Sequence, residues 1–278
     1  MTFDEDTARW QIQTTAGTYV AQFVVAASGI LSVPLEPRIE GMGSFSGTSL
    51  YTNRWPEGGC DLSGKRVGVI GTGSTGVQLI PVIAAQVEHL HVFQRSAAFT
   101  LPWTVHPFEP GEYAQLAAGY ADIRAAQRAH PVGAARLSAF SVLLDMLASP
   151  PIMGATREEQ VRAIDERGVM GALNWGDVFF DIEANRRATA LYGEAIARIV
   201  KDPDTAASLV PTHPFACKRP IIDQGYYDTF NRDNVTLVDL RRDPISAVNS
   251  EGIATEHNQF DLDVIVYATG FDAMTGAL

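Results

Sequence analysis

The residues best placed to do chemistry are three glycines at fixed spacing, Gly71-x-Gly73-x-x-Gly76, and three cations, Arg95 and the adjacent pair Lys218-Arg219. Gly71 permits a tight turn, Gly73 lets backbone approach a pyrophosphate, and Gly76 allows close helix–strand packing. A helix opening here would turn unpaired N–H groups toward the phosphates. Thr72, Ser74, Thr75 and Gln78 lie in or beside the turn and complete the candidate contact set. The chemistry this predicts is dinucleotide binding; with no ligand, the same glycines make only a tight turn.

A second chemical signal follows shortly after. An NAD site usually ends its next strand in Asp or Glu, which accepts from the ribose 2′-hydroxyl, but here Gln94-Arg95-Ser96 supplies a cation and a hydroxyl that suit a 2′-phosphate. NADP is therefore the expected cofactor. In Lys218-Arg219-Pro220 the residue before proline prefers extended backbone, which sends the two side chains to opposite faces. One cation can then face a ribose phosphate and the other a reaction chamber. As ordinary surface residues, all three cations would simply be solvated.

The elements that must position these groups are readable from pattern. Residues 66–70 predict a short buried parallel strand, 77–87 an apolar helix and 90–93 the next strand. Residues 9–13 and 18–23 predict a hairpin turned at Ala16-Gly17, leading into an apolar strand at 24–27 and the corner Ser28-Gly29. The same order returns at 252–255 and 262–267, which lead into Ala268-Thr269-Gly270. Two meanders, each followed by an apolar strand and a small-residue corner, predict two nested nucleotide domains. Residues 32–56, rich in Pro, Gly and Ser, read as a linker. Helical spacing at 113–130, 138–147, 157–167 and 184–200 predicts a helical insertion, interrupted by aromatics at 174–180 whose first use is core packing, with a pocket wall as the alternative.

Composition sets the outer bounds. The 278 residues are 46% hydrophobic and 19% charged, as expected for one large or two smaller globular domains. A net charge of -11 argues against nucleic acid or an anionic membrane as partner. Cys60 and Cys217 are too few for a disulfide framework or a metal cage, so no metal site is expected. No stretch approaches a membrane span and the N-terminus lacks a signal-peptide pattern, which makes the cytoplasm the expected location.

Taken together, Gly71 to Gly76, Phe93-Gln94-Arg95-Ser96, Lys218-Arg219-Pro220, Tyr226-Tyr227 through Val235, and residues 268–278 resemble the flavin-dependent Baeyer–Villiger monooxygenases along essentially the whole chain. The resemblance implies an α/β fold of two nested dinucleotide-binding (Rossmann-like) domains with a helical insertion, the FAD domain being incomplete. Part of the FAD domain would occupy 1–40 and 236–278, a linker 41–64, the NADP domain 65–103 and 215–235, and the insertion 104–214. NADPH would reduce FAD, and one oxygen of O2 would be inserted beside a ketone carbonyl to give an ester or lactone. Arg219 would be the active-site arginine, stabilising charge that develops on oxygen. Lys218, Arg95 and Ser96 would grip NADP, and Ser28, Gly29, Thr269 and Gly270 would form the FAD rim.

Two departures qualify the resemblance. The family's linker motif is matched at Phe45, Gly47, Trp55 and Pro56, but Tyr51 stands where a histidine is expected, keeping an aromatic body while losing titration near neutral pH. Family members begin with a first glycine motif for the FAD pyrophosphate, whereas this sequence opens inside the meander that would follow it. The chain therefore reads as a fragment, expected on its own neither to hold FAD nor to oxygenate. The alternatives are a flavin monooxygenase that oxidises nitrogen or sulfur, and an inactive NADP-binding remnant.

Overall fold

A computed structural model describes residues 1–27, 29, 31–102, 109–129 and 149–272. They divide into two units, Met1–Glu36 with the segment from Gly270, and Pro37–Thr269. In the first unit, β1 (Thr2–Asp4), β2 (Arg9–Thr14) and β3 (Gly17–Ala21) form an antiparallel meander in that order. The hairpin turns at the expected place, where Thr14 Oγ1 donates to the Gly17 carbonyl at 3.0 Å and accepts from Ala16 N at 3.1 Å. The apolar strand expected at 24–27 is not formed. Those residues join no ladder, and Phe23 and Val25 are exposed, because this part of the unit offers them no neighbouring strand among the described residues.

The second unit opens with β4 (Thr48–Tyr51), β5 (Arg66–Ile70), α1 (Ser74–Ala84) and β6 (His89–Gln94). Next come β7 (Thr100–Pro102), α2 (Glu112–Ala118), α3 (Tyr120–Ala129), α4 (Arg157–Arg167), α5 (Ile182–Ile199) and α6 (Pro203–Ser208). The chain then returns through β8 (Ile221–Asp223), α7 (Tyr226–Thr229) and β9 (Val235–Asp239), and passes along the meander β10 (Ile245–Val248), β11 (Gly252–Thr255) and β12 (Gln259–Asp261) into β13 (Val264–Tyr267). The central sheet is fully parallel, in the order β4-β13-β5-β6-β9. Its inner strands are apolar without a break, the mark of a sheet covered on both faces. Period-2 alternation sends Val67, Val69, Leu90, Val92, Val264 and Val266 to one core, shared with α1 and the helices, and Ile70, Phe93, Ile265 and Tyr267 to another, beneath the meander. Gly68 belongs to the second face: a Cβ there would lie 2.6 Å from Leu262 Cδ1.

The two compact units cut across the expected domain spans. Residues 236–269, expected in the FAD domain, share one unit with 65–103, and β13 pairs with β5 on one side and β4 on the other. Asp263 fixes that register: Oδ2 accepts from Arg66 N at 2.8 Å and Oδ1 from Arg66 Nη2 at 3.0 Å, and these bonds hold its carboxyl below the usual range. Within the expected linker at 41–64, residues 48–51 are the sheet's edge strand. From the expected insertion at 104–214, Leu191, Tyr192 and Ile196 of α5 join the core of the parallel sheet. The helix expected at 77–87 opens at Ser74, after the extended cap Gly73, and the one expected at 113–130 is two helices meeting at Gly119. The helix expected at 138–147 lies outside the described residues. Trp175 packs in the core, as expected first for its cluster, whereas Phe180 is exposed.

Candidate functional site

The site is built at the C-terminal edge of the parallel sheet, where β5 ends and α1 begins. Gly71 has φ 109°, donates to the Phe93 carbonyl at 3.1 Å, and would place a Cβ 2.5 Å from the Ala268 carbonyl. Any side chain there is excluded twice, by conformation and by contact. Gly76 sits in the first turn of α1, where a Cβ would lie 2.1 Å from the Gly71 carbonyl. Gly73 differs from both, since a Cβ on it meets nothing within 4 Å. Two glycines therefore close the turn, and the third leaves open space where α1 starts. That helix begins with no side-chain cap, and Gly73, Ser74 and Thr75 are exposed beside its N-terminal N–H groups. These residues fit the pyrophosphate of a dinucleotide.

Thr72 is buried and structural: its Oγ1 donates to the Ser96 carbonyl at 3.0 Å, which ties the glycine turn to the segment after β6. Arg95 and Ser96 are exposed directly beyond that strand, and no carboxylate occupies its last position, which is the buried Gln94. Gln94 Nε2 donates to the Ser208 carbonyl at 2.8 Å. Lys218 and Arg219 are exposed in the loop that leads to β8, and Gln78 Nε2 of α1 donates to Ile222 O in that strand at 3.2 Å. The fold thus brings the elements carrying Arg95 and Lys218 to the flanks of α1. Lys218 lowers the His213 pKa, second to the effect of that imidazole's burial. Among the other expected residues, Gly29 and Gly270 lie in the first unit with φ 70° and 81°, Thr269 is in the second, and Ser28 is outside the described residues. Cys60 and Cys217 are free thiols.

Tyr51 ends β4 and stacks on Tyr267 of β13, ring centroids 4.9 Å apart at 19°, with the Arg54 guanidinium 4.7 Å above the Tyr51 ring. Burial, and then the neighbouring Tyr51, push the Tyr267 phenol up to about 12. Trp55 is half-buried against the larger core. Sequence reasoning gave no role to a buried polar cluster under β7. Tyr192 OH donates to the Thr100 carbonyl at 3.1 Å, accepts from Thr100 N at 2.8 Å, and lies 2.9 Å from Tyr227 OH, which donates to the Ala98 carbonyl at 3.3 Å. The only available signal was the polar content of Asp223-x-Gly225-Tyr226-Tyr227 within an otherwise apolar return. Among the described residues, no group of three His, Cys, Asp or Glu side chains is arranged to hold a metal.

The parallel sheet and the helices around it make a mixed α/β fold similar to that of flavin monooxygenases. The chain is 38% identical over 282 residues to a cyclohexanone 1,2-monooxygenase of Acinetobacter sp, covering 99% of this chain and 50% of the relative. It is also 38% identical over 283 residues to a Baeyer–Villiger monooxygenase of Pseudooceanicola batsensis, with the same coverage of 99% and 50%. Among solved structures, an oxidised steroid monooxygenase bound to NADP superposes with a TM-score of 0.82 at 40% identity, covering 99% of this chain and 51% of that one. No family model matches the chain. The chain is thus a relative of the Baeyer–Villiger monooxygenases, and it spans about half the length of those it matches.

Proposed function

We propose that this chain carries the NADP-binding part of an NADPH- and FAD-dependent monooxygenase that inserts one oxygen of O2 beside a ketone carbonyl, giving an ester or lactone. The observation that carries the proposal is the glycine turn: Gly71 and Gly76 are excluded from bearing a side chain by backbone contact, and Gly73 alone faces open space at an uncapped helix start. The N–H groups of that helix hold the pyrophosphate, with Ser74, Thr75 and Gln78 beside it. Arg95, Ser96 and Lys218 hold the 2′-phosphate. Arg219 is the cation beside the reacting carbonyl, where a fixed charge stabilises developing oxyanion character. FAD, when bound, supplies the oxygen chemistry. The first unit then belongs to a second, nested dinucleotide domain.

Calorimetric titration with NADP+ and NAD+ tests the first half of this reading, and the expected result is a preference for NADP+ of roughly ten- to a hundredfold, from one or two charge-assisted contacts. Equal affinities would remove it. Gas chromatography tests the second half, on the chain joined to the remaining portion of a relative and supplied with NADPH, FAD, O2 and a cyclic ketone. Lactone is expected; oxidation of an amine or sulfide without lactone would reassign the chemistry to nitrogen or sulfur.

A further inference from the structure

The loop that carries Lys218 and Arg219 begins with a backbone conformation that its sequence does not favour. Ala216 has φ 72°, one of two positive values at non-glycine residues among those described. Cys217 N donates to the Pro214 carbonyl at 3.2 Å, which closes a four-residue turn with Ala216 in third place. A type II turn needs positive φ there and takes glycine by preference. An alanine stays in that conformation only where its surroundings hold it.

The hold comes from one buried amide. Asn185, near the start of α5, is 6% exposed. Its Oδ1 accepts from Phe215 N at 2.9 Å, and its Nδ2 donates to Phe215 O at 3.1 Å and to Val178 O at 2.9 Å. A single side chain thus grips both polar groups of the Phe215 backbone, as a neighbouring strand would, and its third bond anchors the amide itself. The Phe215 ring is fixed too, buried with Phe99 and Phe179 each at a centroid distance of 5.6 Å. At the far end of the loop Ile221 N donates to Phe99 O at 2.9 Å, and β8 pairs with β7. Residues 216–220 are therefore strung between two fixed points, with Lys218 and Arg219 exposed between them.

We propose that Asn185 is the positioning residue for both cations: by clamping Phe215 it keeps the turn at Ala216 in its positive-φ form and so fixes where Lys218 and Arg219 emerge. This rests on the reading of Lys218 as a 2′-phosphate contact and of Arg219 as the cation beside the carbonyl. Calorimetric titration of the 278-residue chain with NADP+ and NAD+ tests it. Asn185→Leu keeps the bulk and removes all three bonds, so the alanine returns to negative φ and the cations shift; NADP+ affinity should fall about tenfold with NAD+ affinity unchanged. Adding Ala216→Gly to that variant should restore most of the loss, because glycine holds positive φ without a clamp, whereas an asparagine that merely stabilised the fold would not be rescued from the surface. Ala216→Val leaves Asn185 in place but drives the turn out of positive φ, and it should weaken NADP+ alike, which keeps the test decisive if Asn185→Leu does not fold. In the chain joined to the remaining portion of a relative, Asn185→Leu and Ala216→Val should both form less lactone per NADPH oxidised. An unchanged NADP+ preference in either variant, or a loss that Ala216→Gly does not restore, would overturn the proposal. A parent chain with no NADP+ preference would instead overturn the proposed function, and this inference with it.

Discussion

Two alanine substitutions in one turn separate the two jobs assigned to its glycines. At Gly71 a methyl group meets the Ala268 carbonyl at 2.5 Å, and φ 109° is closed to an L-residue without strain. The carbonyl cannot retreat, because Ala268 is itself held by a backbone bond from its N–H to Ile70 O at 2.9 Å. Strain of about 1–3 kcal/mol and overpacking of about 1–3 kcal/mol put Gly71→Ala at roughly 2–6 kcal/mol of lost stability. In a unit of this size that is a fall in Tm on the order of 10 °C. Gly73→Ala meets nothing, and its φ of -78° suits alanine, so its cost is the weaker helix cap alone, about 0.5–1 kcal/mol. Yet the added methyl stands where a pyrophosphate must approach the helix N-terminus, so NADP+ affinity should drop tenfold or more. Circular dichroism melting and calorimetric titration read the two effects independently. If Gly73→Ala binds NADP+ as the parent does, or melts as low as Gly71→Ala, the division of roles in this turn is wrong.

Arg95→Ala should weaken NADP+ roughly ten- to a hundredfold and leave NAD+ affinity unchanged, as measured by titrating both cofactors. In the chain joined to the rest of a relative, Arg219→Ala should still oxidise NADPH but yield no lactone, because hydride transfer depends on positioning and ester formation on the cation; substantial lactone would move the catalytic role elsewhere. Asp263→Asn should destabilise the second unit by under about 1 kcal/mol at neutral pH, since the Arg66 pair is partly exposed. The Asp263 pKa is lowered in the fold, so this contribution is present above the ordinary carboxylate range and lost as pH falls through the folded pKa. The parent and Asp263→Asn melting curves should therefore converge in acid, and a difference that persists there would refute the assignment.

Much of the site could be read from sequence because its signals are local. The turn Gly71 to Gly76 lies between a strand and a helix that flank it directly, and Arg95 follows the next strand in the same crossover. What could not be read depends on pairing across long separations. The segments 48–51 and 264–267 are more than two hundred positions apart yet are hydrogen-bonded neighbours, Val264 opposite Thr48 and Tyr267 opposite Tyr51. A proline- and glycine-rich stretch reads as a linker because its composition carries no trace of the partner that turns part of it into a strand. The same limit explains the assignment of 236–278 to another domain: the meander β10–β12 and strand β13 look continuous in sequence, but β13 leaves the meander to enter the parallel sheet. The Tyr192–Thr100–Tyr227 cluster joins three distant segments and has no local signature at all.

The tyrosine at position 51, where the family motif expects histidine, takes its meaning from this long-range pairing. Register places Tyr51, Tyr267, Ile70, Phe93 and Val238 side by side in one row across the five strands. All five contribute to the core beneath the meander. The row is the last rung before the chain turns into Ala268 on one strand, Gly71 on the next and, one position later, Arg95 beyond β6. Its packing therefore sets the height at which the glycine turn and the cation emerge. At the row's open end a tyrosine lays a full ring on Tyr267 and takes the Arg54 guanidinium on its outer face, contacts worth about 0.5–1.5 kcal/mol for the stacked pair. An imidazole would cover less of the Tyr267 ring and would gain charge as the pH falls, next to that guanidinium. In this chain position 51 thus acts by packing, as the end of a rung that fixes the glycine turn.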